Sequence, residues 1–136
     1  MPVPSLELQA AIVSALSGDA PLMALVNGVY DRVPKDPWGA VMGYISFGPE
    51  FTVYEDDDCL SIEEINLQLD VWSRQVGRVH CKQIVDRVRQ VLLALPEFTD
   101  HALVLAEAPL SRVSPDPDGL TMHGIINLRF VVEVVE

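Results

Sequence analysis

Catalysis and metal binding need His, Cys, Asp, Glu or Ser side chains that converge on one point. The three histidines, His80, His101 and His123, fall in three separate segments and make no HxH, HExxH or HxxxH pattern. They are expected as solvated or edge-strand side chains. Cys59 and Cys81 stand 22 positions apart with no CxxC, which predicts free thiols in a reducing compartment. His80 adjoins Cys81, but neighbours on a helix point about 100° apart, so the two do not form a nucleophile and its base. Asp56-Asp57-Asp58 clusters hard oxygens of the kind divalent cations take, without the spacing or the closing Glu of an EF-hand. Asp116-x-Asp118-Gly119 resembles a fragment of such a loop, yet Pro115 and Pro117 predict a rigid turn. GxGxxG, GxxxxGK[ST] and GxSxG are all absent. The expectation is a protein with no catalytic residue, no cofactor and no metal site, and so not an enzyme.

A chain of 136 residues is read as one domain, 1–136. Its 49% hydrophobic and 21% charged residues strike a globular balance. A net charge of −11 repels phosphate backbones, so a DNA-binding groove is not expected. A channel through which DNA slides without sticking is compatible with that charge. No segment reaches the roughly 18–20 apolar residues that span a bilayer, and residues 1–16 lack the basic start of a secretion signal.

The elements that would position any site follow from periodicity. Leu8, Ile12 and Leu16 give an apolar stripe for a helix over 4–17, with Ser5 as N-cap and Gly18 as its stop. Asp19 caps a second short helix, 20–26, carrying Pro21 in its first turn. A short strand over 29–33 is followed by a loop over 34–39, where Pro34 and Pro37 exclude both helix and central strand. Residues 41–47 alternate as a strand. Seven carboxylates and no Lys or Arg between Glu50 and Glu64 predict an exposed, mobile loop. Ile65, Leu67, Leu69 and Val71 alternate with Asn66, Gln68, Asp70 and Trp72, the pattern of a strand buried on one face. After Gly77 a third helix runs over 78–95 on Ile84, Val88, Val91, Leu92 and Leu95, and Pro96 ends it. Strands over 102–113 and 122–135 close the chain. The fold class is α+β: an antiparallel sheet of about four to five strands with two main helices packed on one face.

Several segments resemble one family. They are the first helix with Asp19-Ala20 and Leu22–Val26; Val29-Tyr30-Asp31-Arg32-Val33-Pro34; Leu67 to Arg74 with Gly77-Arg78; and Asp116 to Gly124 leading into the last strand. In this order they resemble the tail completion proteins of long-tailed phages, also called tail terminator or head–tail joining proteins. The resemblance implies a structural virion protein that forms a hexameric ring at the head-proximal end of the tail. Such a ring ends tube growth and joins the tail to a head connector, adaptor or stopper protein. Its implied partners are further copies of itself, the tail tube protein and that connector, with DNA only passing through the lumen and no membrane. Assembly would take place in the bacterial cytoplasm. Similar proteins serve in gene transfer agents.

Interface residues are then expected among Glu50, Glu55, Asp56, Asp57, Asp58, Trp72, Arg74, Asp116 and Asp118. Trp72 lies on the polar face of its strand, where it either anchors an interface or packs under a loop or the end of the third helix. The competing reading is a stand-alone regulatory or ligand-binding α+β domain without catalysis. Mass in solution, with and without tail tubes, separates the two.

Overall fold

The computed structural model describes residues 3–57, 59–94 and 98–135. Helix α1, Pro4–Ser17, buries Leu8, Ile12 and Leu16 as its spacing predicts. Its start differs. Val3 is the N-cap and Pro4 opens the helix, with no capping side chain, so Ser5 lies inside the first turn. Proline suits that position, because its fixed φ is helical and its missing N–H would have had no partner. Helix α2, Ala20–Met23, is capped as expected: the Asp19 carboxylate accepts from the Leu22 N–H at 3.0 Å. It stops before the predicted end at Val26. The Leu25 carbonyl is taken by His80 at 2.8 Å, and the Asn27 N–H donates to the Gly43 carbonyl at 2.7 Å.

The strands are β1 Val29–Tyr30, β2 Gly43–Asp56, β3 Ser61–Ser73, β4 Ala102–Pro115 and β5 Met122–Glu133, and α3 spans Val79–Leu93. They form one sheet in the order β1-β2-β3-β5-β4. The long pairings are antiparallel, but β1 is only two residues long and runs parallel to β2. The fold is therefore α+β with a mixed sheet, not a wholly antiparallel one. The predicted end of the third helix, Leu95 and Pro96, lies outside the described residues.

One sheet face carries the core. Ile65, Leu67, Leu69 and Val71 of β3 stand beside Ile126, Leu128, Phe130 and Val132 of β5, and all are buried with Ile84, Val88 and Leu92 of α3. Gly124 lets the helix approach. A Cβ there would lie 2.8 Å from Val85 Cγ2, 3.0 Å from Cys81 Sγ and 3.2 Å from Val71 Cβ. Cys81 is fully buried, and that burial pushes its thiol up to about 11.

The acidic run is not a mobile loop. Pairing between β2 and β3 continues from Glu50↔Leu67 to Asp56↔Ser61, so Glu50, Glu55, Asp56, Glu63 and Glu64 are strand residues. The Asp57 N–H donates to the Leu60 carbonyl at 2.9 Å where the two strands end. The Asp57 carboxylate accepts from the N–H groups of Cys59 at 2.8 Å and Leu60 at 2.7 Å, and these two bonds hold it below its ordinary range. Asp56 accepts from the Ser61 hydroxyl at 2.8 Å. Alternation explains why like charges tolerate a hairpin: they are dealt to two faces and two strands instead of being massed together. Glu64 is further neutralised by Arg129 across the β3–β5 pair. Asp58 lies outside the described residues.

Candidate assembly surfaces

The helices cover one face of the sheet and leave the other without a helical layer. Register assigns to this second face Tyr44, Ser46, Phe51 and Val53 of β2; Glu64, Asn66, Gln68, Asp70 and Trp72 of β3; and His123, Ile125, Asn127 and Arg129 of β5. Leu105, Glu107 and Leu110 of β4 continue it. Phe51 and Leu110 are 64% and 58% exposed, far more than a covered face would allow. A cleft of about 370 Å³ opens beside Phe51, lined by Pro49, Asn66, Gln68, Pro109 and Asn127 among others. Its two walls are the irregularities of β2 at Phe47/Glu50 and of β4 at Glu107/Leu110, each of which carries a proline, Pro49 and Pro109.

Toward one end, this face is tied by aromatic and polar contacts. Trp72 stacks on His123 with ring centroids 3.9 Å apart and 7° between planes. Its indole N–H donates to the Ser46 hydroxyl at 3.0 Å. His123 Nε2 meets the Asp70 carboxylate at 2.7 Å, and the same carboxylate oxygen accepts from the Gln68 amide at 2.9 Å. Trp72 thus stays on the face that alternation assigned to it, packed against its cross-strand neighbours instead of under a loop or under α3.

Arg74 continues this cluster. Its guanidinium lies 4.2 Å from the Trp38 ring centroid, its Nε donates to the Thr121 hydroxyl at 3.2 Å, and it reaches Asp118 at 3.9 Å. Asp118 accepts from the Thr121 hydroxyl at 2.7 Å and from the N–H groups of Leu120 and Thr121 at 2.8 Å, which together hold its carboxyl low. The Asp116 carboxylate accepts from the Asp118 N–H at 3.2 Å. Gly119 takes φ +73°, the conformation that the Asp-Gly turn requires. Trp72, Arg74, Asp116 and Asp118 therefore gather at one end of the sheet. Glu55, Asp56 and Asp57 sit at the other end, on the hairpin tip. Glu50 is between them, its carboxyl pushed up by partial burial beside the β2 bulge.

Two histidines are not where the sequence placed them. His80 and His101 are buried. His80 Nε2 faces the Leu25 carbonyl at 2.8 Å and must donate to it, so Nδ1 accepts from the Ser73 hydroxyl at 2.7 Å. A Ser–His pair is a possible nucleophile and base. Here Ser73 is fully buried and the far ring nitrogen is bound to a carbonyl, so the pair locks α2, β3 and α3 together. His101 Nδ1 accepts from the Val135 N–H at 3.0 Å. Among the described residues, no group of three or more His, Cys, Asp or Glu is arranged to hold a metal ion, and no helix is long and apolar enough to cross a membrane.

Sequence reasoning missed a second charged surface. Arg78, Lys82 and Arg89 of the α3 region line a cleft with Ser111, Arg112 and Val113 of β4. The signal was present: positions 78, 82 and 89 share one helical face at i, i+4 and i+11.

The profile of the family described as "Tail completion protein gp17" matches residues 10–133. The chain belongs to that family. The tail completion protein gp17 of Bacillus phage SPP1 is 32% identical over 127 residues, which cover 92% of this chain and 91% of that protein. The solved structure of bacteriophage SPP1 gp17 has 28% identity and a TM-score of 0.62, covering 97% of this chain and 91% of that one. A chain of the virion of a native gene transfer agent particle has 26% identity and a TM-score of 0.81, covering 93% and 94%. As a tail completion protein, the chain is a structural component of a phage-type virion tail, where it associates with other virion proteins.

Proposed function

We propose that the chain forms a ring of six copies at the head-proximal end of the tail, ends growth of the tail tube and presents a surface to the head connector. The observation that supports this most directly is the helix-free sheet face, with Phe51, Val53, Leu105 and Leu110 exposed beside its polar centre. Exposed apolar side chains gathered on one face mark an interaction surface. Glu55, Asp56, Asp57, Asp58, Trp72, Arg74, Asp116 and Asp118 are proposed to lie at or near contacts with neighbouring copies, the tube or the connector, and Glu50 beside the central cleft. The net charge of −11 suits a lumen that DNA traverses without adhering.

Isolated subunits with modest apolar contact area associate only when concentration or a template brings them together. Native mass spectrometry over a concentration series should show monomer beside a hexamer, with the hexamer favoured by added tail tubes. Electron microscopy should show rings capping one end of each tube. A strictly monomeric protein, with tubes present, refutes the ring.

A further inference from the structure

Four of the nine Lys and Arg residues, Arg78, Lys82, Arg89 and Arg112, line one cleft of about 450 Å³ between α3 and β4. Among the described residues, Asp86 is the one carboxylate in its lining. Elsewhere Arg87 pairs with Asp19, Arg129 with Glu64 and Glu107, and Arg74 with Asp118, while Arg32 and Lys35 lie apart from the cleft, between β1 and β2. Among the described residues, none of the four cleft cations makes an ion pair. Arg89 donates to the Ala108 carbonyl, which fixes it against β4 but does not neutralise it. An acidic chain therefore gathers much of its unmatched positive charge around one hollow. Its densest negative charge, Glu55, Asp56 and Asp57, sits on the β2–β3 hairpin tip.

The two surfaces cannot meet within one molecule. Asp56 pairs with Ser61, whereas Arg112 lies in the row Arg112–Ile125–Asp70. Those rows are nine residues apart along β3, about 30 Å at a strand rise of about 3.3 Å per residue. They also differ by three strand positions, since β2 and β4 have β3 and β5 between them. A patch at one corner that complements a patch at the opposite corner makes a head-to-tail contact between copies. Such contacts close into rings when the rotation between copies allows it.

We propose that the α3–β4 cleft receives the acidic β2–β3 hairpin tip of a second copy of this chain. The proposal rests on the ring reading and names the contact that builds the ring. Arg78 and Lys82 face the incoming Glu55, Asp56 and Asp57, and moderate salt weakens the contact by screening. A net charge of −11 disfavours the other polyanion such a cleft attracts, duplex DNA.

The chain carries its own probe. Cys59 is exposed in the hairpin turn, whereas Cys81 is buried. With Ser111→Cys introduced into the cleft, mild oxidation of the full chain, with and without tail tubes, should join Cys59 of one copy to the new thiol of the next. The product should be a ladder that ends at the ring. Adding Cys59→Ser should abolish it. Arg78→Glu with Lys82→Glu should lower its yield several-fold, and Glu55→Lys with Asp56→Lys in the same chain should restore it. Circular dichroism of each variant confirms that the fold is intact. If light scattering shows the oligomer and no link forms, the contact is wrong and the ring stands. If the protein stays monomeric with tubes present, both readings fall. A link indifferent to charge reversal overturns the electrostatic docking. So does duplex DNA that binds the wild-type chain and loses binding on Arg78→Glu with Lys82→Glu, if no link is seen.

Discussion

Gly124→Ala tests how closely α3 is seated on the sheet. The added Cβ lies 2.8 Å from a Val85 methyl, 3.0 Å from the Cys81 sulfur and 3.2 Å from the Val71 Cβ. All three neighbours are buried, and Val71 belongs to the sheet itself, so relief requires α3 to move outward. Overpacking of this kind costs about 1–3 kcal/mol. Against it stands the smaller entropy of an unfolded chain with Ala in place of Gly, worth about 0.4–1 kcal/mol. The net expectation is a loss of about 1–2 kcal/mol, read as a lower urea midpoint at an unchanged slope. Val85→Ala removes the nearest methyl. Alone it should destabilise by leaving a gap, but with Gly124→Ala the new methyl occupies part of that gap. The double variant should therefore be more stable than the sum of the single effects predicts, by at least about 0.5 kcal/mol. A Gly124→Ala protein as stable as the wild type, or additivity of the two changes, refutes the close helix–sheet contact.

Leu69 is fully buried on the helix face and Gln68 half-buried on the other. Leu69→Ala should cost about 2–5 kcal/mol in urea denaturation. Gln68→Ala loses a hydrogen bond to Asp70 and should cost about 0.5–1.5 kcal/mol; equal losses would mean that both faces are equally packed. Asp19 accepts two guanidinium bonds from Arg87, at 2.6 and 2.7 Å, besides capping α2. Asp19→Ala should therefore destabilise more than Arg87→Ala, and a smaller effect than its partner's would deny the cap its share. The Arg87 bonds hold the Asp19 carboxyl low. Glu7 is also low: desolvation pushes it up, but bonds from the Asp100 and Thr99 N–H groups, the Thr99 hydroxyl and the His101 N–H outweigh that push. Groups whose folded pKa is depressed add stability above the unfolded value and lose it as pH falls through the folded one. Glu50 and Glu63, raised by burial, act in the opposite sense and soften the fall as they protonate. The urea midpoint should hold near neutral pH and drop below about pH 4, and a steady rise on acidification would contradict these bonds.

Much of this fold was readable because apolar spacing reports burial directly. The stripe Leu8–Ile12–Leu16 and the alternation Ile65–Leu67–Leu69–Val71 each belong to elements with one buried side, and both stand as predicted. Charge patterning was less reliable. It assumed that seven carboxylates share one space, whereas a hairpin separates them by face and strand, and Arg129 reaches Glu64 from 65 residues away. The burial of His80 was hidden for a related reason. Its partners, the Leu25 carbonyl and the Ser73 hydroxyl, come together only once α2, β3 and α3 have packed. Of the residues expected at an interface, Trp72, Arg74, Asp116 and Asp118 come from two separate motifs that meet at one end of the sheet. The basic cleft needed a cross-element contact between α3 and β4 that no single segment displays.

The short β1 leaves most of the outer edge of β2 without a partner strand. Among the described residues, only Ile45 and Ser46 pair with a strand on that side, which leaves the backbone of residues 47–56 without a strand partner there. An unguarded edge of this length invites another strand to add and a fibre to grow. Pro49, the bulge beside it and the side chains of Glu50, Glu55 and Asp56 interrupt and charge that edge. On the opposite border, β4 is broken by two register shifts and Pro109. The carboxylates of the hairpin thus act as a fence against open-ended strand addition.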